Sequence, residues 1–396
     1  MADHALHAGR PGRPVSASLH TPTRLRSIER PKAGTQDNRI HNRALVLSVL
    51  YHEGAKSRAD LVRATRLTAP TVSALVAELE ADGLVADVGQ LPDTGRRRGK
   101  PSTLVEIQDD AVTLVVLDLS GADHFNGALT NVRGEVGERV RLPIDGAVGA
   151  DAEALVFRLT EELLRRASRP VLGIGVASPG IIDDAGVIRT AAHLQWRDWP
   201  LADQLAERFG LPAYVGNDMK LAALAVLHFG WTEAQNLMVV TVEHGVGAGL
   251  IVGGRLVEGE QFAAGEIGHI TVDENGPPCV CGRRGCLDPM IDAAHLRRRL
   301  AATPPDRHDA VLAEAGRALG IVIAPIAGAL NLNEIVLTGP AELLDGPFIT
   351  AAVATARART LSPISASLRI RHLADHAELN MLGATCLVLA AELGVL

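Results

Sequence analysis

The sequence predicts an α/β protein: an N-terminal winged helix-turn-helix followed by a larger, two-lobed α/β body. Three observations carry this prediction. The N-terminal quarter has three helix-like segments and then a hairpin with a basic tip. The remainder alternates apolar strands with amphipathic helices in two successive sets, the pattern of two layered lobes with a cleft between them. Charge divides at the same place. Residues 1–101 hold 16 Lys and Arg against 10 Asp and Glu, whereas the rest hold 23 against 36. A basic N-terminal part on an acidic body points to nucleic acid as a partner.

Composition excludes several classes. With 47% hydrophobic and 21% charged residues over 396 positions, the chain as a whole can bury large cores and is not a disordered polymer. The N-terminus has no apolar core of a secretory signal. No unbroken apolar run reaches the roughly 18–20 residues that span a bilayer. The longest, Leu319 to Leu330, reads as a buried helix. These features lead us to expect a cytoplasmic protein with no membrane partner, in a compartment where clustered cysteines bind metal more often than they form disulfides.

Residues 1–36 are rich in Pro, Arg, Ser, Gly and His without periodicity, and read as a disordered arm. Residues 37–107 form the expected DNA-binding domain. In "NRALVLSVLYHEG", Leu45, Val46, Val49 and Leu50 fall at helical spacing, and Gly54 stops the run. In "SRADLVRAT", Ser57 and Asp60 make a capping-box pair. "TAPTVSALVAELEADG" starts at Thr68 as cap, places Val72, Leu75, Val76 and Leu79 on one stripe, and ends at Gly83. "LVADVG" and "TLVEI" then flank "PDTGRRRGKPS", a hairpin with a basic loop. Three helices and such a hairpin follow winged helix-turn-helix order. The small, polar outer face of the third helix, with Thr68, Thr71 and Ser73, would approach base edges in the major groove. Arg96, Arg97, Arg98 and Lys100 would meet phosphates or enter the minor groove. A helical module for protein contacts is the competing reading.

Residues 111–396 form the expected body. "AVTLVVLDLSG", "VLGIGVASPG", "NLMVVTVEHG" and "NEIVLTG" are strands, and "DAEALVFRLTEELLRRA", "MKLAALAVLHFG" and "ALGIVIAPIAGAL" are helices. Three of the four cysteines lie within eight positions of this body, in His269-x9-Cys279-x-Cys281-x4-Cys286. One imidazole and three thiolates are a tetrahedral Cys3His set for Zn2+, with no open coordination position and therefore structural. Gly282 and Gly285 would let the backbone turn tightly enough for the sulfurs to converge. Redox thiols or unliganded buried cysteines are the alternatives.

Several blocks in order, "GVASPGIIDDAGVI", "LQWRDWPLADQLAERFGLPAYVGND", "GVGAGLIVGGRL" and "AAGEIGH…CVCGRRGCLD", resemble the signature segments of the ROK family (repressor, open reading frame, kinase). With the winged helix included, the resemblance covers about residues 38–396. It implies the actin-like fold of sugar kinases and ribonuclease H for the body. It implies that Asp218 matches the catalytic base of the kinase members, and that Asn217, Asp218, Glu266, His269 and Asp288 match sugar contacts. His269 would then offer one ring nitrogen to zinc and the other to sugar.

The chain departs from the family pattern in places. Asp288 stands where Glu is usual, and His193 where Asn is usual. The phosphate turns depart further. Asp-x-Gly-Gly-Thr becomes "DLSGA", with Ser120 and Ala122 in the altered positions, and Gly-Thr-Gly-x-Gly becomes "EHGVG", with Glu243 and His244. Those changes argue against efficient ATP binding. The expected function is therefore a transcriptional regulator, more often a repressor, of sugar-related genes. It would bind operator DNA as a homodimer or homotetramer and sense a sugar or sugar phosphate. An ATP-dependent sugar kinase with an appended DNA-binding domain is the alternative, because Asp218 is retained. A non-enzymatic scaffold is a third reading.

Overall fold

The capping box at Ser57 opens the second helix of the N-terminal domain: its Oγ accepts from the Asp60 N–H, and the Asp60 carboxylate accepts from Ser57. The computed structural model to which this belongs describes residues 35–90, 103–374 and 377–396. Most of the expected arm 1–36, and the wing residues Arg96, Arg97, Arg98 and Lys100, lie outside the described residues. Residues His41–Leu396 form one compact unit. Of the chain before it, only residues 35–40, at the start of helix α1, are described.

The N-terminal elements follow the expected order: α1 (Thr35–Glu53), β1 (Lys56–Ser57), α2 (Arg58–Thr65), α3 (Ala69–Ala81), β2 (Val85–Gln90) and β3 (Thr103–Ile107). Helix α1 starts a few residues earlier than its apolar spacing suggests. All four stripe residues of α3, Val72, Leu75, Val76 and Leu79, are buried. Strands β2 and β3 pair antiparallel, and β1 adds to β3, giving the three-stranded wing sheet.

The body contains two five-stranded sheets. The first is built from β4 (Thr113–Asp118), β5 (His124–Thr130), β6 (Val136–Pro143), β7 (Val171–Ser178) and, after the small strands below, β11 (Ala213–Asn217), in the order β11-β7-β4-β5-β6. Helix α4 (Gly149–Arg166) covers one face with Val156, Leu159 and Leu163. Between β7 and β11 lies a three-stranded sheet of β8 (Ile181–Ile182), β9 (Ile188–Ala191) and β10 (Trp196–Trp199), which the sequence reading did not contain. Trp196 and Trp199 are buried there, with ring centroids 4.7 Å apart. Helix α5 (Leu201–Phe209) follows, and α6 (Asp218–His228) leaves directly from the end of β11.

The second sheet has β12 (Leu237–Val242), β13 (Val246–Val252), β14 (Arg255–Leu256), β15 (Glu334–Thr338) and β16 (Arg369–His372), in the order β14-β13-β12-β15-β16. Its helices are α7 (Asp288–Ile291), α8 (Ala293–Ala301), α9 (His308–Leu330), α10 (Ala341–Leu344), α11 (Pro347–Arg359) and α12 (Ser362–Ser367). With its preceding 3-10 turn, α9 is the one helix among the described residues long and apolar enough to cross a membrane by length and composition. Its Leu312, Leu319, Val322 and Ile323 lie in the core of this lobe with Phe348 and Ala352 of α11, the place of a core helix. The chain returns to the first lobe through α13 (Leu379–Val388), which packs on α6 and β7.

One apolar cluster runs through the N-terminal domain and the first lobe without a break. It joins Val46, Leu50, Leu61, Val72 and Val76 to Leu114 and Val116 of β4, Leu221 of α6, and Met381, Ala384 and Val388 of α13. The expected boundary between residues 107 and 111 is therefore a change of architecture within a shared core.

Candidate sugar and metal site

Strand β11 and helix α6 meet at Asn217 and Asp218. Asn217 caps the helix: its Oδ1 accepts from the Lys220 N–H at 3.0 Å, and its Nδ2 donates to the Gly180 carbonyl at 2.9 Å and to Asp218 Oδ1 at 3.0 Å. Asp218 Oδ1 also accepts from the Met219 N–H at 2.9 Å. A helix N-terminus is a favourable place for a carboxylate. Even so, burial, with Asp118 and Glu266 nearby, pushes Asp218 up to about 7. A carboxyl group at that value can take or give a proton near neutrality.

Glu266 lies within electrostatic reach of Asp218, and His269 and Asp288 lie within electrostatic reach of Glu266. Glu266 is raised by burial and by Asp288, against the lowering effect of His269 and Lys220. Asp288, at the start of α7, accepts from the Val246 N–H at 2.8 Å, and burial raises it too. One of its two oxygens is thus already committed to the turn between β12 and β13. The shorter Asp in place of Glu still reaches that turn.

His269 and the three cysteines also come together. Their ligand atoms all lie within 4.8 Å of one another. His269 Nδ1 is 3.5 Å from Cys279 Sγ, and Cys281 Sγ is 3.6 Å from Cys286 Sγ. Ligands bound tetrahedrally with Zn–S bonds of about 2.3 Å stand about 3.5–3.8 Å apart, so the separations fit that ion. Backbone turns hold the loop: the Cys279 N–H donates to the Arg283 carbonyl at 2.8 Å, and the Gly282 N–H to the Cys279 carbonyl at 3.0 Å. Gly285 has φ +66, and a Cβ there would stand 1.4 Å from the Asp273 carbonyl oxygen, so only glycine fits. The Arg283 side chain beside Cys281 pulls its thiol down to about 6, whereas burial pushes the neighbouring Cys279 thiol up to about 11.

Polar side chains bond to one another at the turn after β4. Ser120, where glycine is usual, donates its N–H and its hydroxyl to Asp118 Oδ1 at 3.0 and 2.6 Å. Asn380 of α13 donates to Asp118 Oδ1 at 3.3 Å and to Ser120 Oγ at 3.0 Å. The first turn is thus tied to α13 through its own polar groups. In the second turn, the Glu243 N–H donates to the Gly245 carbonyl at 3.0 Å. Burial and the neighbouring His244 both lower His193, so the two histidines that replace the usual Asn and Thr lie within electrostatic reach of each other.

On α3, the Thr68 hydroxyl caps the helix and lies 2.8 Å from the Thr71 hydroxyl. Thr68 is exposed, Thr71 is half-buried, and Ser73 stands exposed beside Ala69, Pro70 and Ala74. Sequence reasoning missed Lys220 and Asn380. A lone lysine just ahead of the apolar run "LAALAVL" of α6 was the available signal for the first; Asn380 offered none.

A cavity of about 380 Å3 lies beside the site, lined by Asn217 and Lys220, the turn after β8, α5, and Glu258 and Phe262.

Comparison with known proteins adds the following. Residues 116–391 match the ROK family, and residues 40–98 match the MarR family. A putative xylose repressor of Caldicellulosiruptor sp. (strain Rt8B.4) is 33% identical over 255 residues, 62% of this chain and 62% of that protein. The chain thus spans less than two thirds of the length of that relative. The DNA-binding transcriptional dual regulator NagC of Escherichia coli K12 is 28% identical over 390 residues, 89% of this chain and 93% of that one. The crystal structure of a ROK family transcriptional regulator, a homolog of the E. coli MLC protein, superimposes with a TM-score of 0.79 at 22% identity, covering 90% of this chain and 98% of that one. At that identity the match speaks for the fold alone.

Proposed function

The chain belongs to the ROK family, and on that premise we propose that it is a DNA-binding transcriptional repressor of sugar-related genes that senses a sugar or sugar derivative. Residues 37–107 are the DNA-binding domain and 111–396 the sensor. Thr68, Thr71 and Ser73 face base edges, and the wing residues Arg96, Arg97, Arg98 and Lys100 neutralise phosphates. Two-fold operators require paired half-sites, so the working form is a homodimer or homotetramer. Asn217, Asp218, Glu266, His269 and Asp288 bind the sugar hydroxyls.

The observation that carries this reading is the shared core. Leu221, one turn past Asp218, is buried in the same cluster as Val72 and Val76 of the recognition helix. A ligand that favours one lobe arrangement acts on a body continuous with the DNA-reading helices, and shifts operator affinity by its differential binding. His269, Cys279, Cys281 and Cys286 would hold Zn2+. That ion would supply no chemistry beyond fixing the loop that carries His269 and Asp288.

The test is fluorescence anisotropy with duplex DNA from the promoter beside the gene, with and without free and phosphorylated hexoses, hexosamines and pentoses. Expected are affinity that falls steeply with salt and that one of these sugars changes. Indifference to DNA at low salt would end the proposal. The value of about 7 for Asp218 favours a second reading, a sugar kinase with a DNA-binding domain attached. An ATP-consumption assay across the same sugars separates the two: with Ser120 and Ala122 in place of the usual Gly and Thr of the first phosphate turn, no turnover is expected.

A further inference from the structure

Lys220 is the third residue of α6, immediately ahead of a run made of Ala, Leu and Val. Its side chain is 5% exposed. The ammonium has a full set of partners: Glu258 Oε2 at 2.6 Å, the Phe262 carbonyl at 2.9 Å and the Glu258 carbonyl at 3.4 Å. An ammonium has three protons and here meets three acceptors, which is what a buried cation requires. All three acceptors belong to the segment that leads from β14 to Glu266.

That segment is wound on itself. The Phe262 N–H donates to the Gly259 carbonyl at 3.2 Å, and the Ala264 N–H to the Glu258 carbonyl at 3.2 Å. The Gly265 carbonyl then accepts from the Ala248 N–H at 2.8 Å, which fastens the segment's end to β13. Phe262 has φ +56, a left-handed conformation that is strained for a non-glycine residue and needs tertiary contacts to persist. Its carbonyl is one of the three that Lys220 holds. At its other end Lys220 is bound into the site, since its N–H is capped by Asn217.

We propose that Lys220 is the positioning residue of the sugar site: its buried ammonium sets the segment carrying Glu266 against the start of α6, where Asn217 and Asp218 lie. The role rests on the reading of Glu266 as a sugar contact. The three protons of the Lys220 ammonium are taken up by Glu258 and Phe262. The lysine acts by holding two sets of ligand groups in one register, and such misplacement by about 1 Å is costly to recognition.

The experiment uses the full chain. Lys220→Met keeps side-chain volume and removes the charge. Its partner Glu258 is 48% exposed and stays hydrated, so folding is retained; melting temperature and metal content check this. Lys220→Arg keeps the cation, and Glu258→Gln removes only the ion pair. Hydrogen exchange of the Phe262 and Ala264 amides should quicken in Lys220→Met and, less, in Glu258→Gln. It should stay near wild type in Lys220→Arg, and the Cys279 and Gly285 amides should not change in any variant. Titration with D-glucose, D-xylose, N-acetyl-D-glucosamine and glucose 6-phosphate should show binding weakened about tenfold in Lys220→Met and restored in Lys220→Arg. The loss should not add to that of Glu266→Gln, because both act through one carboxylate. Unchanged exchange at Phe262 and Ala264, or fully additive losses, would overturn the proposal. If wild type binds none of these sugars while exchange responds as expected, the sugar-sensing reading fails and the holding role of Lys220 stands.

Discussion

His52 Nε2 on helix α1 stands 2.7 Å from the carbonyl oxygen of Val395, 343 residues further along the chain. The N-terminal domain is thereby joined to the segment that follows α13. Gly394 reinforces the join: it has φ +63, and a Cβ there would stand 2.6 Å from the Cβ of Ala44. Arg133 makes a parallel contact, donating to the Tyr51 carbonyl at 2.7 Å while its guanidinium lies over the Tyr51 ring. On the other side, α13 reaches the site through Asn380, bonded to Asp118 and Ser120. Replacing Gly394 with Val forces a clash and a disfavoured backbone together, a loss of about 1–3 kcal/mol. We expect a lower melting temperature, sugar affinity unchanged in calorimetric titration, and a reduced effect of sugar on operator binding. An unaltered sugar response would show that this join does not transmit the signal.

The metal loop gives a second prediction. Gly285→Ala drives a methyl group into the Asp273 carbonyl, and Cys281→Ser removes one donor of four. Both variants should lose bound zinc by mass spectrometry and, with it, sugar affinity, since the loop between His269 and Asp288 loses its brace. DNA binding in the absence of sugar should change less. Sugar affinity that survives complete metal loss would separate the two sites.

Much of this was legible in the sequence. The stripe of α3, the capping box at Ser57 and the convergence of His269 with three cysteines are local patterns, written in spacing alone. What escaped depends on partners far away in the chain. Strands β8, β9 and β10 run only two to four residues each, too short to show alternation. Helix α9 begins at His308 among charged residues, so its apolar run understates its length. Lys220 looks like any surface lysine until the segment at Glu258 is folded over it. Thr68 and Thr71 both read as base contacts, but the structure spends part of their hydrogen-bonding capacity on each other and on the helix cap.

Asp218 makes stability depend on pH in a defined direction. Its value rises from 3.8 when unfolded to about 7 when folded, so the native state binds the proton more tightly. The native state is therefore favoured at low pH and loses that advantage as pH rises from about 4 to about 7, with no further change above. Asp118 is raised in the same direction. The single-residue contribution is isolated by Asp218→Asn, which resembles the protonated acid at every pH. Melting temperatures should nearly coincide at about pH 3, below both values, whereas at pH 8 the variant should melt higher by several degrees, at roughly 2–4 °C per kcal/mol. A variant that melts lower at pH 8 would mean the carboxylate is stabilised where it stands.

The two faces of the DNA-binding domain should fail in different ways. Ser73 is exposed on α3 among alanines and carries no capping duty, so its hydroxyl is free to meet a base edge. Ser73→Ala should change the order of preference among related operator duplexes, by about 1–3 kcal/mol at one position, with little effect on non-specific binding. Arg97 lies in the basic tip read from sequence, and its guanidinium is assigned to phosphate. Arg97→Ala should weaken binding to all duplexes alike and lower the slope of log affinity against log salt by about 1. Competition binding on a panel of operator variants, repeated at several salt concentrations, measures both quantities. If Ser73→Ala weakened every sequence equally, α3 would not be reading the groove.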